Sequence, residues 1–397
     1  MTVTFVSNYI NHHQIPVSNE LYAYFGNGYH FVQTEPMEEE RVNMGWNNAF
    51  SEIPYLLKYY EDSEACQKVI DESDVVIFGG TENEAYIQAR LRDRKPVIRY
   101  SERLYKEGQW KCISPRGLVK KYHDHTRYSD APVYLLCSGG YVADDFNIIR
   151  AYNGKRFKWG YFPEFIEYSE EERKLRRDKR REHEKLKILW VARLIELKHP
   201  EVCIEMGKYL KNKGIDFEIV ILGDGELRAK LEADIQKYEL TDNVILKGMV
   251  STSEVRDEMN EADIFVFSSN FIEGWGAVMN EAMNAGCAVV AAHSVGSVPF
   301  LIKHRENGMV YPFGDNKKLC EIIGELSEDQ KWRLSLGENA YETLLNEWNH
   351  KTASQRLIKL CEDVNKGEFH FFESGPLSEA KVIHQKKMYK YLTGMDK

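Results

Sequence analysis

Short apolar, β-branched runs recur along the chain, each bounded by polar or glycine-containing stretches, and they predict the strands. In the first half they are 3–7 (VTFVS), 74–78 (DVVIF), 96–100 (PVIRY) and 133–137 (VYLLC). In the second half they are 186–192 (LKILWVA), 217–222 (FEIVIL), 244–250 (VILKGMV), 262–269 (ADIFVFSS) and 287–292 (CAVVAA). Continuous rather than alternating apolar character marks strands buried on both faces. Segments of helix-forming composition such as 82–94 lie between them, and strand, helix and strand in that rhythm predict parallel sheets. Further helices are expected near 18–25, over 319–345 and in the tail over 376–392, and the dense charge run 170–185 reads as the linker between two halves.

The joints between strand and helix carry the candidate chemistry. Residues 268–286, SSNFIEGWGAVMNEAMNAG, leave a strand, loop over Gly274 and Gly276, and enter a helix. Glycines there let the backbone approach a ligand, and a helix entrance favours an anion. Glu273 precedes the glycines, and Glu281 leans back toward the same place because helical side chains tilt toward the N-terminus. Either acid alone reads as a helix-entry residue or a solvated face. Together, beside a phosphate site, they suit hydroxyl groups, which suggests a sugar on each side of the phosphates. Arg193 and Lys198 leave the end of strand 186–192, where two cations can converge on a diphosphate. Gly223 and Gly225 follow strand 217–222, with Arg228 standing where a dinucleotide fingerprint would need its third glycine. His12 and His13 follow the first strand and Glu102 follows 96–100, at the sheet edge where open sheets bind ligands.

The stretch EGWGAVMNEAMNAGCAVVA resembles the donor-site motif of retaining glycosyltransferases of family 4. Residues 193–198 and 223–228 are similar to that family's G-R-L-x-x-x-K and G-x-G-x-L-R stretches, with Ala192 in place of a glycine. The resemblance implies the α/β GT-B fold, with two Rossmann-like parallel-sheet domains facing a central cleft. An acceptor-side domain would span 1–165, with a C-terminal helix 377–397 packing back on it, and a nucleotide-sugar-binding domain would span 166–376. It assigns catalysis to Arg193, Lys198 and Glu273, and donor binding to Gly223, Gly225, Met249, Val250, Gly274, Trp275, Gly276, Ala277 and Glu281. His12, His13 and Glu102 would contact the sugar or the acceptor. It implies a hexosyltransferase that needs no metal and no cofactor beyond its nucleotide diphosphate sugar. The chain departs from the family at the glycine-free loop 8–16, at Glu102 where a histidine is common, at Trp275, and at Phe300 where a carboxylate usually follows the proline.

The expected acceptor is a saccharide, lipid-linked in the first reading and soluble or protein-borne in the second, in polysaccharide or glycoconjugate synthesis. A non-catalytic nucleotide-sugar-binding scaffold and a GT-B epimerase are the alternatives of another class.

Composition adds bounds. The 397 residues allow two or three domains, and 43% hydrophobic with 29% charged residues is an ordinary globular balance. A net charge of -9 argues against nucleic acid as a partner. Seven singly spaced cysteines read as free thiols, and the chain shows neither a membrane span nor a secretory signal, so a cytoplasmic protein is expected. One segment runs against the net charge: 90–121 holds eleven Lys or Arg against Asp93, Glu102 and Glu107, with Tyr105, Trp110 and Leu118 interleaved. It reads either as a solvated face or as a surface for an anionic membrane or a diphosphate-linked acceptor.

Overall fold

Each apolar run forms a parallel strand. The computed structural model describes residues 1–37 and 53–395, and the chain divides into two units, Met1–Glu164 with Glu347–Ile383 and Phe165–Asn346 with His384–Lys397. The first unit holds β1 (Val3–Ser7), β2 (Tyr29–Gln33), β3 (Leu56–Lys58), β4 (Val75–Gly79), β5 (Val97–Ser101), β6 (Val133–Ser138) and β7 (Arg156–Trp159) among the described residues, in the order β3-β2-β1-β4-β5-β6-β7. The second holds β8 (Leu186–Val191), β9 (Phe217–Leu222), β10 (Val244–Gly248), β11 (Ile264–Phe267), β12 (Ala288–Ala292) and β13 (Met309–Tyr311), in the order β10-β9-β8-β11-β12-β13.

Every pairing between these thirteen strands is parallel, so both units are Rossmann-like. In each sheet the chain first builds to one side of its opening strand and then crosses to the other. The reversal lies between β1 and β4 in one unit and between β8 and β11 in the other, and the strand ends flanking such a reversal are where open sheets hold ligands. Ile188, Ile219, Ile221, Val266 and Val290 are buried in the core of the second unit. Full burial of each such side chain stabilises the fold by about 1.5–3 kcal/mol.

Four expectations are corrected. The boundary falls between Glu164 and Phe165, one residue from the expected division at 165/166 and ahead of the charge run 170–185 that was expected to be the linker. That run is the helix Glu170–Arg181, and its arginines fasten it to the second unit: Arg173 pairs with Glu338 and Glu342, and Arg177 with Glu338. Arg180 is buried and donates to the carbonyls of Met259 (3.1 Å), Ala285 (2.9 Å) and Gly286 (2.7 Å), which satisfies chain ends that two neighbouring helices leave open. The return to the first unit begins at Glu347 rather than at 377, because the helix His350–Asn365 packs on the helix Ile15–Phe25 and buries Leu357, Leu360, Cys361 and Val364.

The tail is mostly extended. Leu377 donates to the carbonyl of Lys158 (2.8 Å), Lys158 to Ser378 (2.8 Å), and Ala380 to Arg156 (3.0 Å), so this segment covers the outer edge of β7. Only Met388–Thr393 is α-helical there, and it belongs to the second unit; residues 396 and 397 of the expected helix lie outside the described residues. The first helix also starts earlier than expected, at Ile15, since Pro16 is tolerated in a first turn.

Candidate functional site

In the second unit the exits of β8, β9 and β10 are joined by main-chain hydrogen bonds. Leu194 donates to the carbonyl of Asp224 (2.9 Å), Leu227 to Leu194 (3.0 Å), and Gly223 to Gly248 (2.8 Å). A Cβ on Gly223, whose φ is +128°, would lie 1.9 Å from the Ala192 carbonyl oxygen, and one on Gly225 would lie 2.6 Å from that of Leu194. Both glycines are therefore demanded by the close approach of two loops. Met249, exposed, and Val250 follow β10 beside this turn.

The exits of β8 and β11 are joined next. Ser268 donates its hydroxyl to the carbonyl of Lys198 (2.6 Å) and accepts from the Trp190 indole (2.9 Å), while Asn270 donates to the carbonyl of Leu197 (3.0 Å). These bonds place Lys198 beside Glu273, and the two side chains form an ion pair that is largely shielded from water. The Lys198 ammonium also stands 6.0 Å from the Phe267 ring centre. Arg193 is exposed and pairs with no described carboxylate.

Beyond Glu273 the chain enters the helix Val278–Asn284 without a side-chain cap at Ala277. The main-chain N–H groups of Gly274, Gly276 and Ala277 donate to no described residue. Gly276 has φ +80°, and a Cβ there would stand 2.3 Å from Cζ of Phe267. Glu281 is half-buried in the helix, and its carboxylate accepts no hydrogen bond from a described residue. Burial pushes this carboxyl up to about 7, against the opposing positive charge of Arg256. A hydroxyl donor would relieve that burial.

The Trp275 indole is buried and donates to Oδ1 of Asn280 (2.8 Å), so the ring serves packing. Its carbonyl accepts from the Ser297 hydroxyl (2.6 Å), and the Ser294 hydroxyl donates to the carbonyl of Ser269 (2.6 Å). The loop after β12 thus braces the glycine loop. Ser268, Ser294 and Ser297 were not singled out from the sequence, where the only signal was a hydroxyl residue at each strand exit.

In the first unit the expected residues gather around a tyrosine. The rings of His12 and His13 are 3.7 Å apart, and His13 stacks on Tyr161 at 5.1 Å and 14°. The Tyr161 hydroxyl donates to Glu102, whose other oxygen accepts from Lys106. Burial, followed by the neighbouring Tyr100 and Glu102, raises the Tyr161 phenol well above its usual range. Nothing local marks Tyr161, since its partner Glu102 lies 59 residues away.

The basic segment is less of a surface than its charge suggests. Arg90 is buried and donates to the carbonyls of Ile70 (3.0 Å), Ser73 (2.6 Å) and Pro96 (3.0 Å). Arg99 is buried and holds Glu84 through two bonds of 2.8 Å, and buried Arg103 does the same for Asp145 at 3.1 and 3.2 Å. The expected face over 90–121 therefore loses these cations to the interior. No helix among the described residues is long and apolar enough to cross a membrane.

Residues 171–343 match the family described as Glycosyl transferases group 1. Among curated proteins the chain is similar to the amylovoran biosynthesis glycosyltransferase AmsK of Erwinia amylovora, 35% identical over 185 residues, which is 45% of this chain and 45% of that one. It is also similar to the putative colanic acid biosynthesis glycosyltransferase WcaL of Escherichia coli, 30% identical over 183 residues with the same coverage of 45% on both sides. The alignment spans about half the length of these relatives. Among solved structures, Anabaena HepE in complex with UDP matches with a TM-score of 0.66 at 14% identity, over 90% of this chain and 99% of that one. Sucrose-phosphate synthase from Thermosynechococcus elongatus matches with a TM-score of 0.62 at 14% identity, over 93% and 100%. These likenesses establish two Rossmann-like domains of the GT-B kind.

Proposed function

We propose that this chain, with its glycosyl transferases group 1 domain at residues 171–343, transfers a hexose from a nucleotide diphosphate sugar to a saccharide acceptor with retention of anomeric configuration. The acceptor is a lipid-linked saccharide at the cytoplasmic membrane face, in the assembly of a surface polysaccharide or glycoconjugate. The observation that carries the reading is the Lys198–Glu273 pair at the reversal of the second sheet, beside a glycine loop with undonated N–H groups.

The geometry suits each part of such a donor. A diphosphate entering the loop takes over Lys198 and meets Arg193 and the N–H groups of Gly274, Gly276 and Ala277. Glu273, released from the lysine, accepts from hydroxyls of the sugar, and Glu281 accepts from the ribose. The Gly223–Gly225 turn and the Met249–Val250 exit lie under the nucleoside.

In the reaction, the bond from the anomeric carbon to the diphosphate oxygen breaks while the acceptor oxygen bonds to the same face of that carbon. The acceptor proton passes to the departing oxygen, so no side-chain base is required. Charge growing on that oxygen is matched by cations and N–H groups already in place, which is the largest contribution such a site makes. Arg193 and Lys198 fill the role that a metal would otherwise fill. On the first unit, His12, His13 and Glu102, together with Tyr161, bind the acceptor.

The test is thermal unfolding in EDTA with uridine, guanosine and adenosine diphosphates and their sugars, uridine first because the HepE structure holds UDP. One nucleotide class should raise the midpoint by several degrees, and Glu281→Ala should weaken that response. Well-folded protein that responds to no nucleotide would overturn the proposal. Chemistry on the sugar nucleotide without any acceptor would replace it with an epimerase.

A further inference from the structure

The helix Pro115–Asp124 in the first unit is amphipathic in the opposite sense from a core helix. None of its residues is buried. The positions that turn toward the body of the unit are Gly117, Lys121 and Asp124, which are half-buried, while Leu118, Val119 and Tyr122 on the other side are exposed. Helical spacing puts Leu118 and Tyr122 one turn apart with Val119 beside them, so the three make one outward stripe. The 3-10 turn Gln109–Ile113 just before the helix adds Trp110 and Ile113, 68% and 77% exposed. Five large apolar side chains thus stand in solvent within one short stretch of chain, far from the scattered single residues that need no explanation.

Charge accompanies them. Over the same residues, 109–124, Lys111, Arg116, Lys120 and Lys121 face one carboxylate, Asp124, in a chain whose net charge is -9. Lys111 lies 5.6 Å from the Trp110 ring centre and pairs with Glu107, Lys120 reaches Glu82 at 3.1 Å, and Arg116 pairs with no described residue. Arg116 and Lys120 are exposed beside the stripe, while Lys121 turns toward the body of the unit.

We infer that residues 109–124 dock the first unit onto an anionic lipid surface, with Trp110, Ile113, Leu118 and Tyr122 entering the headgroup boundary and Arg116 and Lys120 meeting lipid phosphates. Mixed aliphatic and aromatic tips beside flexible cations suit a fluid bilayer, which needs no shape complementarity. The inference stands apart from the transferase reading and would give that activity access to a lipid-linked acceptor.

Flotation of the full-length protein with vesicles tests it, comparing phosphatidylcholine alone with phosphatidylcholine holding about 30% phosphatidylglycerol. Binding should require the anionic lipid and fall several-fold in about 0.5 M salt. The Trp110→Ser/Ile113→Ser/Leu118→Ser protein should bind at least about tenfold less, and Arg116→Glu/Lys120→Glu a similar amount less, while both keep the parent thermal midpoint. Because these side chains are exposed, loss of folding is not expected, and circular dichroism checks it. Unchanged binding in both variants would overturn the inference. So would a parent protein that is dimeric by light scattering and becomes monomeric in the apolar variant, because the stripe would then be an interface between copies.

Discussion

The two units share a strand plan, yet they treat the same topological position differently. At the reversal of the second sheet, neighbouring loops are joined by main-chain bonds, and the pair Lys198–Glu273 stands beside N–H groups that donate to nothing described. At the C-terminal edge of the first sheet, side chains close on one another through His13, Tyr161, Glu102 and Lys106. One arrangement leaves hydrogen-bonding capacity for a charged ligand. The other pairs its tyrosine and lysine with one glutamate and presents shaped side chains. The difference teaches that a parallel sheet fixes where a site lies, and loop chemistry decides what it holds.

Exchanging the lesions between the units breaks or sharpens this contrast. The largest effect should come from Lys198→Ala, with turnover falling about 100- to 1,000-fold while nucleotide affinity changes less than about fivefold, read by steady-state kinetics and calorimetry. Lys106→Ala, removing the other unit's lysine, should lower turnover about tenfold or less. Equal losses would erase the distinction.

Next, Gly223→Ala should destabilise the second unit by about 2–4 kcal/mol, since its new Cβ meets a carbonyl. Gly154→Ala in the first unit, at φ +70° with nothing within 4 Å of the added atom, should cost about 1 kcal/mol. Thermal unfolding that cannot tell the two apart would remove the close-approach argument.

Glu281→Gln should have opposite effects on binding and stability. Nucleotide affinity should fall about tenfold, from the loss of a charged acceptor. The folded-state pKa of about 7 lies above the ordinary carboxyl value, so the folded protein holds this proton more tightly than the unfolded chain does. The associated stability is complete below the unfolded pKa and is lost as pH rises through about 7. The glutamine variant should therefore melt about 2–4 °C higher than the parent near pH 8 and no higher near pH 5. A gain that persists at low pH would mean that the ionised carboxylate is not the source.

The smallest effect should come from Tyr161→Phe, which leaves Glu102 without one donor. About 1 kcal/mol of stability should go, and the melting response to nucleotide should stay as in the parent.

What could be read in advance follows the same division. Nine of the thirteen described strands were legible because a strand buried on both faces is a continuous apolar run, as in β9 and β12; β2, β3, β7 and β13 were missed, and three of them, β3, β7 and β13, are short strands at sheet edges. The placement of Arg193, Lys198, Gly223 and Glu273 was legible because each follows a strand. The His13–Tyr161–Glu102 cluster was only half legible, because its central tyrosine acquires a role through distant contacts. The charge runs misled. In 170–185 and 90–121 the sequence records charge without depth, and Arg90, Arg99, Arg103 and Arg180 all prove to be buried. Arginine suits such interior sites because its planar fork can cap several carbonyls or hold a carboxylate through two bonds.

The extended segment along β7 has a consequence for synthesis. Leu377, Ser378 and Ala380 seal the edge of the first sheet, and the helix His350–Asn365 completes that unit's packing, yet a ribosome makes both only after the whole of 165–346. The unit that begins the chain is thus completed only after most of the second unit, 165–346, has been made. Throughout translation of the second unit its outermost strand offers unpaired N–H and carbonyl groups, a template to which another nascent chain could add.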